Sequence, residues 1–162
     1  MRARASALLV FGLATASLAP PIPSLAQAAQ AAAGEDGCRV TMSPALLRKW
    51  RDEGGQARLG CPIARESDAA PSPTGATARV LLFQQGELVA PTSGARAGAA
   101  VAVLGCFWRL YFQYRGSAGW LGLPLADAVT TQDGARQDFE GGSLLYQRDL
   151  DRCIIRPERG SP

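Results

Sequence analysis

The sequence predicts a small, β-rich α+β domain that contains two copies of one unit and is stabilised by disulfide bonds. Three observations predict it: one residue pattern occurs twice, each occurrence has a helical segment followed by two β-rich runs, and four cysteines lie in the same part of the chain. The 162 residues are enough for one such domain with a modest core.

A signal sequence is predicted before this domain. Arg2 and Arg4 are followed by an apolar run over residues 5–19, and residues 26–28 have the small-x-small pattern of a signal-peptidase site. The run has about 15 residues, fewer than the ~20 that span a bilayer. We expect residues 1–28 to be a cleaved signal peptide; the alternative is an uncleaved membrane anchor.

The mature chain is expected to have three parts: a disordered linker over residues 29–36, a folded domain over residues 37–157 and a disordered tail over residues 158–162. Loss of Arg2 and Arg4 lowers the net charge from +3 to +1, because 15 of the 17 basic residues remain against 14 acidic ones. This balance does not favour nucleic acid or an anionic membrane as a partner. We expect a protein that is secreted or held in the periplasm or cell envelope, with no membrane span after cleavage.

Four cysteines, Cys38, Cys61, Cys106 and Cys153, lie in the predicted domain. An even number in an exported chain predicts two disulfides, with buried free thiols as the alternative. No two of them have the spacing of about two to four residues that a zinc knuckle needs, so we expect no metal. We also expect no cofactor, because the sequence has no Gly-rich phosphate loop and no dinucleotide fingerprint. We expect Cys38 to pair with Cys153, closing the ends of the domain, and Cys61 to pair with Cys106.

The repeated pattern emerges when the chain is compared with itself. At an offset of 62 residues Gly60 meets Gly122, and further matches are Trp50/Phe112, Gly54/Gly116, Leu59/Leu121, Pro62/Pro124, Ile63/Leu125 and Ala64/Ala126. At an offset of 56 residues the later matches are Phe83/Phe139, Gly86/Gly142 and Leu88/Leu144. The first copy holds the six extra residues in a loop around residues 69–75, where insertions are tolerated.

Both copies predict the same order of elements. Ser43-Pro44 begins a helix that ends at Gly54-Gly55, and the second helix runs from about Cys106 to Arg115. Each helix is followed by a Leu-Gly-x-Pro turn, a polar loop and a β-hairpin. The predicted strands cover residues 40–42, 79–83, 87–90, 99–104, 136–139, 143–147 and 153–156. We expect the copies, about residues 38–91 and 99–156, to join edge to edge.

These residues resemble the LGFP-repeat family. The resemblance lies in Arg58-Leu59-Gly60-Cys61-Pro62 and Trp120-Leu121-Gly122-Leu123-Pro124, each with a preceding helix and a following phenylalanine-to-glycine hairpin. It covers roughly residues 38–156. Cys61 and Leu123 depart from the pattern, because phenylalanine or tyrosine is usual at the third position. The resemblance implies an exported module that holds proteins on envelope polysaccharide.

Catalytic chemistry is restricted by the complete absence of histidine. Histidine-dependent nucleophile arrangements are therefore excluded, and the sequence has no Gly-x-Ser-x-Gly or phosphate-binding loop. A pair of carboxylates for glycan cleavage is the remaining option, with candidates Glu66, Asp68, Asp127, Asp138 and Glu140. Acids two residues apart in a loop are ordinary surface charges, so we expect no enzyme.

Aromatic residues distinguish the two copies. At the offset of 62, Leu46 and Trp50 match Trp108 and Phe112, which we expect to be the core stripe of each helix. The second copy then has four aromatic residues where the first has none: Phe107, Tyr111, Tyr114 and Trp120. They could pack the copies together, bind a protein, or stack on sugar rings.

The sequence therefore favours a non-catalytic binding module for cell-wall or envelope polysaccharide. The expected ligand-binding residues are the partly exposed rings with polar groups at their rim, namely Tyr111, Tyr114, Trp120, Asp127 and Gln137. An alternative is a secreted interaction or inhibitor domain that binds an envelope protein, and a weaker one is a carboxylate-dependent wall hydrolase.

Overall fold

The computed structural model describes Cys38 and residues 41–157. The predicted signal peptide, linker and C-terminal tail lie outside these residues. In the first half, helix α1 (Pro44–Asp52) has Pro44 in its first turn after an extended Ser43, and the short helix α2 (Gly55–Leu59) follows it. Sheet A is antiparallel with the strand order β1 (Ser67–Asp68), β2 (Ala78–Phe83), β3 (Gly86–Pro91), β4 (Val101–Leu104).

The second half begins directly after β4 with helix α3 (Gly105–Gln113). A 3-10 helix over Gly116–Ala118 comes next, and another over Arg148–Leu150 precedes the last strand. Sheet B is also antiparallel, with the order β5 (Val129–Thr131), β6 (Gly134–Phe139), β7 (Gly142–Gln147), β8 (Arg152–Pro157).

The predicted fold class is confirmed at the level of a small, β-rich α+β domain with two disulfides. Both main helices and both hairpins lie close to their predicted positions. The short elements α2, β1 and β5 were not predicted. The strand expected over residues 40–42 is not formed, since Thr41 and Met42 have no strand structure and Val40 lies outside the described residues.

Four layers stack in the order α1, sheet A, α3, sheet B. The first core lies between α1 and one face of sheet A, and the second core surrounds α3 between the other face of sheet A and sheet B. In the second core, Val89 and Val103 of sheet A and Phe139 and Leu144 of sheet B are all buried. The expected edge-to-edge joining is therefore wrong, because both faces of sheet A are apolar and each needs a helix to cover it.

The same set of contacts holds the turn in each half. An antiparallel bridge joins the turn proline to the last residue of the first hairpin strand, as Pro62–Phe83 and Pro124–Phe139. The core aromatic residue of each main helix donates to the turn glycine: Trp50 Nε1 lies 3.2 Å from Gly60 O, and Tyr111 Oη lies 2.9 Å from Gly122 O. The turns are thus fixed between a helix and a hairpin in the same manner.

These contacts correct the alignment of the two helices by one residue. Trp50 corresponds to Tyr111, and Phe107 with Tyr111 forms the buried face of α3. Phe112, expected in the core, is 69% exposed. The chain between the helix and the Leu-Gly-x-Pro turn is one residue longer in the second half, and one residue turns a helix by about 100°.

The disulfides are Cys38–Cys61 and Cys106–Cys153, so the expected pairing is wrong. Cys38 and Cys61 both pack in the first core, whereas Cys106 and Cys153 both pack in the second. Each bond therefore lies within one layer pair and does not join the ends of the domain. Two disulfides fit a protein that folds in an oxidising compartment.

We expect non-reducing peptide mapping to recover Cys38 linked to Cys61 and Cys106 linked to Cys153. In the chain-entropy model, the 47-residue separation of the second bond corresponds to about 4 kcal/mol of unfolding free energy. The double variant Cys106→Ser/Cys153→Ser should lose about that amount in denaturant titrations. A peptide that joins Cys38 to Cys153 would contradict this connectivity.

Candidate functional site

Tyr111 is 1% exposed, so the expectation that it lies partly exposed at a ligand site is wrong. Its hydroxyl donates to Gly122 O, and its ring centroid lies 5.0 Å from that of Phe139. Burial raises the pKa of Tyr111, and the nearby charges of Glu87 and Glu140 add to this. Tyr111 is buried because it lies on the core face of α3, as Trp50 does on α1.

Gln137 was expected at the rim of the site and is also 1% exposed. Its Nε2 lies 2.8 Å from Ala102 O and 3.0 Å from Ala126 O, and it donates to both. Its Oε1 is buried and has no hydrogen-bond partner among the described residues. The expected rim position is therefore wrong: Gln137 faces inward on β6 and binds the edge of β4.

Asp127 also binds the edge strand β4 at Ala102, but at the backbone N–H and not at the carbonyl. Its Oδ1 accepts from Ala102 N at 2.8 Å, and its Oδ2 pairs with Lys49 Nζ. Ala102 lies on β4, the last strand of sheet A, whose outer backbone groups have no further strand to bond. Asp127 and Gln137 thus satisfy the donor and the acceptor of one edge residue and connect the halves.

A chain of ion pairs continues from Asp127 along α1. Lys49 Nζ also lies 2.9 Å from Glu53 Oε1, and Arg58 Nη1 lies 3.2 Å from Glu53 Oε2. Burial lowers the pKa of Lys49, but hydrogen bonds to Asp127 and Glu53 outweigh it and the net pKa is raised. A cleft of about 340 Å³ opens beside these groups, between the end of α1, the start of α3 and Tyr146 of sheet B.

Tyr114 and Trp120 form an aromatic pair in the second half. Their ring centroids are 6.4 Å apart and their planes meet at 86°. Tyr114 is 38% exposed, and Trp120 packs in part against the second core. With the corrected helix alignment, these rings take the positions at which the first half has the ion pair of Glu53 with Arg58.

Phe112 and Trp108 are two more aromatic residues of α3, with ring centroids 6.3 Å apart. Sequence comparison placed both in the core, and so missed that Phe112 is the most exposed aromatic ring among the described residues. Its counterpart in the first half is Arg51 in the corrected alignment. The residues with positive φ after each helix support that alignment. Gly54 and Gly55 have φ of 90° and 56°, and they correspond to Arg115 and Gly116, which have φ of 72° and 55°.

A second pocket of about 320 Å³ lies on the outer face of sheet B, where Arg136, Asp138, Ser143 and Arg156 line it. Arg136 Nε lies 2.6 Å from Asp138 Oδ1. Burial raises the pKa of Asp138, but hydrogen bonds to Arg136 and Ser143 outweigh it and the net pKa is lowered. The pocket therefore combines a fixed carboxylate with two guanidinium groups.

The five carboxylates considered for catalysis each have a partner. Glu66 and Asp68 both pair with Arg79, and Glu66 also accepts from Ser43 N at 2.7 Å. Glu140 accepts from Leu123 N at 3.0 Å and from the Thr74 hydroxyl. Asp127 and Asp138 have the partners given above. These contacts hold loops and turns in place, and no two of these carboxylates stand alone across a cleft.

Within the described residues, no group of three or more His, Cys, Asp or Glu side chains is arranged to hold a metal ion. None of the helices in that part of the chain has the length and apolar character that a bilayer crossing requires. A scan of the chain against protein-family models finds no match, and a search of curated proteins finds no relative.

Glu87 is a buried acid that sequence analysis did not single out. It lies on β3, on the same face as Val89, and makes no hydrogen bond or ion pair with a described residue. Burial raises the pKa of its carboxyl from 4.5 to about 7. The folded state therefore binds this proton more tightly than the unfolded state does, and stability is lost as pH rises from 4.5 through 7.

We expect Glu87→Gln to be more stable than the wild type above neutral pH, by up to about 3 kcal/mol, because the amide cannot ionise. The two proteins should converge at acid pH, where the wild-type carboxyl is protonated in both states. Urea titrations across this pH range measure the difference. A difference that stays constant with pH would show that Glu87 does not titrate in this way.

We expect Asp127→Ala to lower the free energy of unfolding by about 2 kcal/mol, since it leaves Ala102 N without its acceptor and removes one of the carboxylates that bind Lys49. Asp52→Ala, at an exposed position of α1, is the control and should change stability by less than about 0.5 kcal/mol. Equal effects of the two substitutions in denaturant titrations would refute the role given to Asp127.

Proposed function

We propose that this protein is an exported, non-catalytic binding module for cell-wall or envelope polysaccharide. We further propose that it consists of two copies of an LGFP-like unit, each with a helix, a Leu-Gly-x-Pro turn and a hairpin. The recurring turn contacts of Trp50 with Gly60 and of Tyr111 with Gly122 support the two-copy arrangement. The resemblance of the turn sequences supports a role at envelope polysaccharide.

The observation that carries the binding role is the replacement of an ion pair by an aromatic pair. In the first half, the ion pair of Glu53 with Arg58 occupies the equivalent positions, so the fold does not require aromatic residues there. The second half has Tyr114 and Trp120 there, and Tyr114 keeps more than a third of its surface exposed. Residues that the fold does not need and that stay accessible are candidates for ligand contact.

The chemistry of these two side chains suits a sugar ring. Tyrosine and tryptophan present large, rigid apolar faces, and each also has a polar edge that can hydrogen-bond a hydroxyl. The edge-to-face geometry of the pair leaves the two rings presenting different sides to a ligand. The candidate catalytic carboxylates are already engaged in ion pairs and backbone hydrogen bonds, which supports a role in binding and not in catalysis.

The exposure of Phe112 favours a second candidate, a secreted interaction domain for an envelope protein. A phenylalanine has no polar atom with which to orient sugar hydroxyls, and an exposed apolar ring is typical of protein interfaces. The two candidates therefore depend on different residues of the same helix and the turn after it.

We expect Tyr114→Glu/Trp120→Arg to weaken retention on purified peptidoglycan sacculi or insoluble wall polysaccharide by at least about tenfold, as loss of two aromatic contacts of roughly 1 kcal/mol each implies. The variant installs the ion pair that the first half already accommodates, so the protein should still fold, with a melting temperature lowered only by the contacts that Trp120 loses with the second core. Retention and thermal unfolding are measured on the same samples.

Phe112→Ala is the matched control, because it removes an exposed ring outside the pair. It should leave retention on polysaccharide unchanged. A wild type that binds none of these polysaccharides, or an equal loss in both variants, would overturn the proposed site. Loss of a protein partner in Phe112→Ala alone would instead support the interaction domain.

A further inference from the structure

The outer face of sheet B differs in character from the face of sheet A that occupies the same position. In sheet A, this face has Val80, Val89, Val101 and Val103, and α3 covers it. The strand registers match Val80 with Arg136 and Val103 with Arg156. No helix of the described chain covers this face of sheet B, so its arginines face solvent.

Three arginines and one acid lie on this face by strand alternation: Arg136, Arg152, Arg156 and Asp138. Arg152 donates to Gln147, and Arg136 donates through Nε to Asp138. The guanidinium of Arg156 makes no hydrogen bond or ion pair with any described residue. The pocket of about 320 Å³ between Arg136 and Arg156 therefore has excess positive charge and an uncommitted donor group.

The pocket also adjoins the aromatic pair. Gly142 lines the pocket, and the neighbouring Gly141 lies against Trp120, since a Cβ on Gly141 would be 3.3 Å from Trp120 Cε3. The tip of the β6–β7 hairpin thus has the arginine pocket on one side and the Trp120 ring on the other. A polymer that crosses this tip can contact both.

We propose that the pocket between Arg136 and Arg156 binds the anionic groups of a polysaccharide, so that the ligand is an acidic glycan with carboxylate or phosphodiester groups. This inference rests on the proposed function, since it assumes that Tyr114 and Trp120 bind the same polymer. A guanidinium group recognises either oxyanion with paired N–H donors. The ion pair with Asp138 holds the Arg136 side chain in place.

The test compares binding of the full mature protein to three soluble polymers: polygalacturonate, poly(glycerol phosphate) and neutral dextran. We expect at least one anionic polymer to bind about tenfold or more tightly than dextran, and this preference to fall at high salt. Arg136→Gln/Arg156→Gln should remove the preference. Arg48→Gln/Arg109→Gln, which loses the same charge from exposed positions of α1 and α3, should keep it within about twofold.

Each outcome separates this inference from the proposed function. If dextran and the anionic polymers bind equally and the Tyr114/Trp120 variant loses both, the proposed function stands and the arginine site is overturned. If the control pair loses as much as the site pair, the effect is one of net charge and the site is overturned. Arg156→Gln alone, which keeps the Arg136–Asp138 ion pair, should still lose most of the preference for anionic polymers. Thermal unfolding of each variant verifies that it is folded. A preference for one of the two anionic polymers identifies the oxyanion that the pocket binds.

Discussion

The position of α3 between the two sheets is the constraint on which the rest of the structure depends. Sheet A has two apolar faces, and α1 can cover only one of them. Val89 and Val103 on the other face would be exposed without α3, at a cost of about 1.5–3 kcal/mol for each side chain. The same nine-residue helix presents Phe107 and Tyr111 to sheet B. One helix therefore supports both sheets.

This stacking also determines what happens at the edge of β4. A terminal strand in a sheet has backbone groups that need partners, and the second half supplies them from Asp127 and Gln137. Two residues that the sequence marked as ligand contacts are thus used to connect the halves.

The C-terminal end of the stack has a different requirement, because no further helix follows sheet B in the described chain. A sheet face that no other element covers needs polar side chains to remain in water. Arg136 and Arg156 meet this requirement at positions where sheet A has valines. A polar face of this kind is not needed for core packing.

The sequence by itself determined the local elements and the fold class. Pro44 at a helix start, the glycine stops and the alternating residues of the hairpins act over a few residues, so they predict helices and strands close to their observed bounds. Tyr114 and Trp120 could also be singled out from the sequence, because they differ from their counterparts in the first half.

Only the tertiary structure decided which side chains are buried, how the cysteines pair and how the sheets stack. The one extra residue between Gly116 and Gly122 turned α3 relative to the gap-free alignment, which exchanged the roles of Tyr111 and Phe112. Each disulfide joins two cysteines of the same core. Gln137 lies in the interior, where it donates a hydrogen bond to Ala102 O. These outcomes depend on contacts between residues far apart in the chain, and a local pattern does not contain them.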